Sequence, residues 1–366
     1  MKKIGIDGRL FSQTGVGTYI QNLFLNLDNE KDKDITYYVY LSDKDFEKIH
    51  FKNKNIIKRV SNHRWHTIAE QTGFLILLLK DGLDLMHFTY FSYPIFYWRK
   101  FIATIHDTTP LIFRTGRAST KNQFVYRFKH LMFRLGLKLQ VKRAIKIITP
   151  TKSVKKDLVS IYGERYSNKI VPIYEGVNNT ITVIKDNILL KRKYHNFFIY
   201  VGNFYPHKNV SSIIYAFKNI DLKYRLILIG PDGYFTDKIK QLISDLQMKN
   251  RILIVRNPSQ SDLVFFYKNA EAIIHPSFSE GFGLPLIEAA YFGTPIIASD
   301  IPVFKELWGG GYIAFDPKNV NDIQQKIIDF IIKKPKFEYK ETLKKYSFKM
   351  MTREIVKIYK DILSDK

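Results

Sequence analysis

Two glutamates that flank a glycine-rich loop carry the strongest chemical signal in this sequence. Glu280 and Glu288 have seven residues between them, including the loop Gly281-Phe282-Gly283-Leu284, which is followed by Pro285. Pro285 suits the first turn of a helix, because the N–H that proline lacks has no helical partner there. The backbone N–H groups and the dipole at such a helix start favour an anion. The segment therefore predicts a site for a diphosphate such as that of a nucleotide sugar.

The two carboxylates extend this prediction to neighbouring hydroxyl groups. An ionised carboxylate only accepts hydrogen bonds, so Glu288, one turn inside the helix, can bind ribose hydroxyls, and Glu280 in the loop can bind those of a sugar. The alternative is an ordinary turn between a strand and a helix, which also uses glycine and proline. The second glutamate favours the functional interpretation.

A second motif supplies a cation. The run from Tyr200 to Asn209 begins as a strand, turns at Gly202 and reaches Lys208 just before a helical pattern. Lys208 is a point charge that suits a diphosphate, although a solvated loop lysine is the alternative. Asn203 follows the glycine in the same loop and can donate hydrogen bonds without carrying charge.

Two further motifs lie in the amino-terminal half. His106 and Asp107 directly follow a predicted strand, at the edge of the sheet where open α/β folds bind ligands. His106 is therefore a candidate for substrate contact, although a lone histidine is more often structural, and Asp107 can orient it or face an acceptor. Arg9 precedes the loop Gly15-Val16-Gly17, which mimics a dinucleotide-binding turn but lacks its third glycine.

These motifs require strands and helices that alternate along the chain. In the first half, short apolar runs predict strands at Ile4–Asp7, Tyr37–Leu41, Leu85–Phe88, Phe101–Ile105 and Ile145–Thr149. In the second half, strands are predicted at Phe197–Val201, Arg225–Ile229, Ile252–Val255, Ala272–His275 and Pro295–Ala298, with helical spacing between them. This alternation predicts an α/β fold with a doubly wound parallel sheet.

Length sets the number of domains. The chain has 366 residues, which suits two domains. The polar, aperiodic stretch Asn178–Arg192 is the predicted boundary, so we expect one domain over residues 1–180 and a second over residues 190–343. Helical spacing returns after residue 344 and predicts a last helix within 344–366 that packs back on the first domain.

The charge indicates an anionic partner. The net charge is +24, and no acidic residue occurs between Asp107 and Asp157. Within that stretch, Arg114–Lys156 mixes basic with apolar residues. It predicts either a helix on an anionic membrane surface or a solvated helix whose Lys and Arg stems cover the core. Nucleic acid also fits the charge, but none of its standard binding motifs occurs, so we expect no nucleic-acid partner.

Composition excludes several kinds of site. The chain has no cysteine, which excludes disulfides, thiolate metal sites and cysteine nucleophiles and fits a reducing compartment. It starts without a signal-peptide pattern, and no apolar run reaches the ~20 residues of a membrane span, so a cytoplasmic protein is expected. Two D-x-D pairs, Asp32–Asp34 and Asp43–Asp45, are interpreted as solvated turns rather than cation sites.

Together, the four motifs resemble the retaining glycosyltransferases of family 4, which have the GT-B fold of two Rossmann-like domains facing a cleft. The resemblance covers nearly the whole chain. It implies that Glu280 contacts hydroxyls of the donor sugar and that Glu288 binds the nucleotide ribose. It also implies that the backbone amides of Gly281 to Leu284 bind the sugar and the diphosphate.

The resemblance gives roles to the other motifs as well. Lys208 would neutralise the leaving phosphates, and His106 would contact the donor-sugar hydroxymethyl or the reacting region. Gly15 and Gly17 would line the cleft near the diphosphate and the acceptor. In the family an arginine follows the glycine of the second motif, whereas this chain has the uncharged Asn203, which puts full neutralisation of the diphosphate in doubt.

The implied reaction moves a hexose from a nucleotide sugar to a glycan or lipid-linked glycan with retention of configuration, without metal or other cofactor. The leaving phosphate would take the proton of the acceptor. The second motif looks like that of bacterial mannosyltransferases of polysaccharide assembly, which favours GDP-mannose. A UDP- or dTDP-sugar and a non-catalytic GT-B subunit are the alternatives. The expected location is peripheral, on the inner face of the cytoplasmic membrane.

Overall fold

The chain folds into two compact units in the computed structural model, which describes residues 1–30, 34–113 and 123–364. Unit 1 comprises Met1–Glu175 together with Ser347–Lys366, and unit 2 comprises Gly176–Tyr346. The chain therefore leaves unit 1 after Glu175 and returns to it for its last helix. No helix in the described part of the chain is long and apolar enough to cross a membrane.

A parallel sheet forms the centre of unit 1. Its strands within the described ranges are β1 (Lys2–Asp7), β2 (Ile35–Leu41), β3 (Ile56–Val60), β4 (Leu85–Phe88), β5 (Phe101–Thr104), β6 (Ile147–Thr149) and β7 (Ile170–Pro172). They are ordered β3-β2-β1-β4-β5-β6-β7, and the pairings are parallel. The strand order reverses between β1 and β4, which is where doubly wound sheets bind ligands.

Helices cover this sheet. They are α1 (Val16–Leu27), α2 (Asp43–Lys48), α3 (Leu75–Asp81), α4 (Thr109–Ile112), α5 (Gln123–Arg143) and α6 (Lys152–Tyr162), with a π-helical segment, Glu70–Phe74, leading into α3. α1 buries Tyr19, Leu23 and Leu27, which recur every four residues and so share one face. The central strands β4 and β5 are buried along their whole length, because helices pack on both sides of a parallel sheet.

Unit 2 repeats the plan with a second parallel sheet. Its strands are β8 (Phe197–Val201), β9 (Arg225–Gly230), β10 (Ile252–Arg256), β11 (Ile273–His275), β12 (Ile296–Ser299) and β13 (Ile313–Phe315). Its helices are α7 (Val210–Phe217), α8 (Tyr234–Asp245), α9 (Gln260–Asn269), α10 (Leu284–Tyr291), α11 (Pro302–Trp308), α12 (Val320–Lys333) and α13 (Lys340–Leu343). The order β10-β9-β8-β11-β12-β13 reverses between β8 and β11.

The last helix, α14 (Phe348–Ser364), belongs to unit 1 and packs on α1. Its apolar positions recur at helical spacing and are buried, among them Met351, Ile355 and Tyr359. The Tyr359 hydroxyl lies 2.6 Å from Nδ1 of His87 in β4. Burial lowers the pKa of His87 to about 3, so this ring is neutral and contributes a hydrogen bond rather than a charge.

The predicted fold class is confirmed, since all ten predicted strands are present and each half forms a doubly wound parallel sheet. Three strands were not predicted: β3, β7 and β13. Each lies at the edge of its sheet. Edge strands are covered less completely than central ones, so their apolar pattern is short: β3 contains Lys58 and Arg59, and β7 ends in Pro172.

Candidate functional site

The candidate site of unit 2 lies where β8 and β11 end. These strands are neighbours, and the strand order reverses between them, so the loops that follow them meet at one edge of the sheet. The loop after β8 carries Lys208, and the loop after β11 carries Glu280. Lys208 Nζ lies 2.7 Å from Glu280 Oε1. The two strongest sequence motifs therefore meet in an ion pair.

Hydrogen bonds fix these two loops to each other. The Phe278 N–H donates to the His207 carbonyl at 2.9 Å. The side-chain amide of Asn209 donates to the carbonyls of Pro276, at 3.2 Å, and Pro317, at 2.7 Å. Asn209 has φ 55 and precedes α7, so it turns the chain from the lysine loop into the helix. Lys208 is thus held on an ordered loop.

Three donors converge on one oxygen of Glu280. Lys208 Nζ, His275 Nε2 and Ser277 Oγ each lie 2.7 Å from Oε1. Burial by itself raises the pKa of Glu280, but the Lys208 ammonium and the His275 hydrogen bond outweigh it and hold that pKa well below its usual range. Glu280 is therefore ionised, and three donors already engage its Oε1.

The second glutamate has the opposite electrostatic environment. Glu288 lies in α10 with 8% of its surface exposed, and the hydroxyl of Tyr267 in α9 donates to its Oε2 at 2.8 Å. Burial raises the pKa of Glu288 to about 7, and the Tyr267 hydrogen bond offsets only part of that increase. At neutral pH the Glu288 side chain is therefore divided between its protonated and ionised forms.

The start of α10 needs glycine at one position. Gly283 precedes the helix with φ 87, and a Cβ there would lie 2.8 Å from the ring of Phe304. α10 begins at Leu284, and Pro285 occupies its first turn as predicted. No side chain caps the helix start. A helix start without a side-chain cap is the arrangement that binds anions through its backbone N–H groups.

The residues around Gly283 differ in how deeply they are buried. The ring of Phe282 is buried and packs edge-on against Tyr346, with centroids 5.6 Å apart, so its side chain anchors the loop. Gly281 and Leu284 are half-buried. Any contact that Phe282 makes with a donor would therefore come from its backbone, as the resemblance implies.

Asn203, at the position where the resemblance places an arginine, stabilises its own turn. Its Oδ1 accepts from the Tyr205 N–H at 3.4 Å, and its carbonyl accepts from the Tyr200 hydroxyl at 2.5 Å. The half-buried Asn203 brings no charge to the site. Lys208 is the cation that pairs with Glu280.

The residues predicted in the amino-terminal half belong to unit 1. His106 Nε2 lies 2.9 Å from the Thr89 carbonyl, and Nδ1 lies 3.3 Å from Glu175 Oε1. Because a carbonyl only accepts, Nε2 carries a proton. The ring of Tyr19 packs edge-on against His106 at 4.8 Å. The ring of His106 is thus held by Thr89 and Tyr19, with the buried carboxylate of Glu175 beside it.

Asp107 and Arg9 both have structural partners. Asp107 Oδ1 accepts from the Thr109 N–H at 2.8 Å, at the start of α4. Arg9 is 7% exposed, and its guanidinium donates twice to Asp7, once to Glu70 and once to the His63 carbonyl, at 2.7–2.9 Å. Four of the five N–H groups of Arg9 are therefore used inside unit 1, so little hydrogen-bonding capacity is left for an acceptor substrate.

The glycine loop of unit 1 is shaped by a close approach of backbone. Gly15 precedes α1 with φ 71, and no side chain caps the helix. A Cβ on Gly17 would lie 2.5 Å from the Phe11 carbonyl oxygen, so only glycine fits there. This loop therefore starts α1 without a side-chain cap, at the same sheet edge as Asp7, the last residue of β1.

The D-x-D interpretation needs one correction. Asp45 is 4% exposed rather than solvated: the Ser42 hydroxyl donates to it at 2.8 Å, and the Ser12 hydroxyl also donates to it. Asp32 and the basic residues Arg114, Arg117 and Lys121 lie outside the described residues. Among residues 1–30, 34–113 and 123–364, no group of three or more His, Asp or Glu side chains could hold a metal ion.

Four side chains beside the predicted residues were not predicted: Glu175, Tyr267, His275 and Ser277. His275 was recognised only as the end of a strand. Its position five residues before Glu280, at the carboxyl end of a central strand, is the sequence signal that indicates it. Tyr267 and Glu175 carry no such signal, because their partners are set by helix packing and strand order.

Sequence comparisons match both halves of the chain. The profile described as "Glycosyltransferase Family 4" matches residues 14–180, and the one described as "Glycosyl transferases group 1" matches residues 184–350. The O-antigen chain mannosyltransferase RfbU of Salmonella typhimurium is 30% identical over 263 residues, which is 72% of this chain and 69% of RfbU. An uncharacterized glycosyltransferase of Methanocaldococcus jannaschii is 26% identical over 94% of this chain and 95% of its own length.

Solved structures share the fold of the whole chain. Sucrose-phosphate synthase from Thermosynechococcus elongatus superposes with a TM-score of 0.80 at 15% identity, over 100% of both chains. HepE of Anabaena, solved in complex with UDP-glucose, gives 0.77 at 15% identity, over 99% of this chain and 100% of HepE. At such identities the likeness shows the fold alone, and it confirms the predicted GT-B class.

Proposed function

Since this chain belongs to family 4 of the glycosyltransferases, we propose that it moves a hexose from a nucleotide-diphosphate sugar to a glycan or lipid-linked glycan of a cell-surface polysaccharide. We favour GDP-mannose as the donor. The name of the relative RfbU, an O-antigen chain mannosyltransferase, supports that choice, as does the Pro206–Asn209 motif. A UDP- or dTDP-sugar is the alternative donor.

The observation that carries this proposal is the contact of Lys208 with Glu280 at the strand-order reversal of unit 2. Glu280 Oε2 is proposed to accept from donor-sugar hydroxyls, because Oε1 is already engaged. Lys208 has three N–H groups and gives one to Glu280, so it can also donate to a phosphate oxygen. Glu288 is proposed to accept from the ribose.

The proposed chemistry breaks the bond between the anomeric carbon and the leaving phosphate oxygen. Negative charge grows on the diphosphate, and Lys208 with the amides at the start of α10 stabilises it. The acceptor oxygen bonds to the anomeric carbon on the same face, and its proton passes to the leaving phosphate oxygen, so configuration is retained. Glu280 positions the sugar and does not attack it. No metal takes part.

The acceptor is proposed to bind unit 1. His106 and the amides at Gly15 and Gly17 lie at the carboxyl edge of its sheet, which supports that assignment. Arg9 is assigned the task of holding Asp7 and Glu70 rather than touching the acceptor, because most of its donors are used there.

A panel of nucleotide sugars tests this function. We expect GDP-mannose to raise the melting temperature and to be turned over, both in the presence of EDTA, with UDP- and dTDP-sugars giving smaller responses. A thermal shift without turnover would instead support a non-catalytic subunit. Tight, salt-sensitive oligonucleotide binding without any nucleotide-sugar response would support the nucleic-acid class and overturn the enzyme proposal.

We further propose that α5 holds the protein on the inner face of the cytoplasmic membrane. Leu131, Leu135 and Leu139 follow one another at four-residue spacing and are 53%, 45% and 38% exposed. The exposed basic residues Arg134, Lys138 and Lys142 accompany them. Apolar side chains beside cations suit an anionic lipid surface.

We expect the Leu135→Glu substitution to reduce binding to anionic vesicles about tenfold or more, because it removes an inserted apolar group and adds a repelled charge. The measurement is vesicle flotation at low and high salt. Leu222→Glu is the matched control, since Leu222 is 78% exposed in unit 2 and outside α5. Absence of salt-sensitive binding by the unmodified protein would end this proposal.

A further inference from the structure

His275 occupies an unusually constrained position beneath the candidate site. It is the last residue of β11, in the middle of the sheet of unit 2, and only 2% of it is exposed. The ring of Tyr200 stacks on it, with centroids 5.6 Å apart and planes 21° apart. The ring of Phe304 meets it edge-on, also at 5.6 Å. These contacts fix the plane of the imidazole.

Hydrogen bonding determines which nitrogen of His275 carries the proton. Nε2 lies 2.7 Å from Glu280 Oε1, and an ionised carboxylate only accepts, so Nε2 is the donor. Nδ1 is buried and has no hydrogen-bond partner within the described ranges. A proton on Nδ1 would leave a buried N–H unpaired, which is costly. The ring is therefore the neutral tautomer with hydrogen on Nε2.

This tautomer limits what His275 can do. Nε2 has no lone pair with which to take a proton, and Nδ1 faces the protein interior. General base and nucleophile roles both require an accessible lone pair. What remains is donation to Glu280 from a rigid strand.

We propose that His275 is a positioning residue: together with Ser277 it holds Glu280 Oε1, so that Oε2 is presented to the donor sugar. The proposal rests on the function proposed above for Glu280. Lys208 alone cannot fix the carboxylate, because its ammonium is at the end of a flexible four-carbon chain and also has to serve the phosphate. Ser277 Oγ and His275 Nε2, both 2.7 Å from Oε1, supply donors from residues closer along the chain.

Three variants test whether the hydrogen bond from His275 to Glu280 matters for turnover. His275→Leu removes the N–H that donates to Glu280. We expect it to lower kcat about 100-fold, because catalytic groups act only within a narrow range of positions, while the dissociation constant for GDP changes less than threefold. His275→Gln keeps an N–H near the place of Nε2 and is expected to recover at least tenfold of that loss. His195→Leu, at an exposed histidine of the same unit, is the matched control for the substitution itself.

A second measurement requires neither a variant nor turnover. We expect nitrogen-15 NMR of the full-length protein, without any nucleotide sugar, to show His275 protonated at Nε2 only. Protonation at Nδ1, or unchanged kcat in a folded His275→Leu variant, would overturn the positioning role. Should the unmodified protein turn over no nucleotide sugar, the proposed function fails, whereas the NMR tautomer still decides whether His275 donates to Glu280.

Discussion

Replacing Lys208 with alanine is expected to reduce turnover about 10²- to 10³-fold, the usual effect of removing one group that stabilises transition-state charge. Asn203 brings no charge where the family has arginine, so under the proposed function Lys208 is expected to carry a larger share of phosphate neutralisation. The ammonium also pairs with Glu280 at 2.7 Å. Its loss therefore affects two proposed contacts with the donor, one to the phosphate and one through the carboxylate.

The substitution has a second consequence for Glu280. Burial raises the pKa of that carboxyl and the Lys208 charge is the main opposing influence, so the pKa of Glu280 is expected to rise in the variant. The measurement is steady-state kinetics with GDP-mannose. Lys249→Ala is the control, because Lys249 is an exposed lysine in the turn before β10. Turnover within threefold of the unmodified protein would remove Lys208 from the mechanism.

Glu288→Gln is expected to stabilise the protein above pH 7 while weakening nucleotide binding. The ordinary pKa of 4.5 applies in the unfolded chain, and burial raises it to about 7 in the folded protein. Between these values the folded state binds more protons, so stability falls as pH rises from 4.5 through 7. The folded-state benefit is complete below pH 4.5 and lost above pH 7, a change of about 3 kcal/mol.

Glutamine cannot ionise but can still accept from the Tyr267 hydroxyl, so it removes this pH dependence and keeps the hydrogen bond. Calorimetric melting temperatures at pH 5.5, 7 and 8.5 measure the effect, with Glu341→Gln, at an exposed residue of α13, as the control. We also expect roughly tenfold weaker GDP binding, since the charge-assisted bond to ribose proposed for Glu288 would be lost. Parallel stability curves for the variant and the unmodified protein would contradict the assignment.

The sequence predicted the central strands and the local shape of the site well, for physical reasons. Strands such as Phe197–Val201 are buried on both faces and consist of an unbroken apolar run, which is easy to recognise. Gly283 and Pro285 are required by the backbone of one short turn, so their meaning is local. The edge strands β3, β7 and β13 were missed because partial burial leaves a short or interrupted apolar pattern.

Asp45 shows that local sequence does not always predict whether a charged residue is exposed. Its D-x-D context suggests a solvated turn, yet it is buried and accepts hydroxyl hydrogen bonds from Ser42 and from Ser12, 33 residues away. The Ser42 contact is local, since Ser42 caps α2 three residues before Asp45, but the Ser12 contact exists only because the fold brings the two segments together.

What the sequence determined by itself is therefore the chemical composition of the candidate site: two glutamates, a glycine-rich helix start and a lysine, at spacings that belong to a known family. Only the tertiary structure decided how the two carboxylates differ. Lys208 lies 72 positions from Glu280 and keeps it ionised, whereas Tyr267 lies 21 positions from Glu288 and leaves its pKa raised. A pKa depends on burial and on charges within a few ångströms, and strand order and helix packing bring those together.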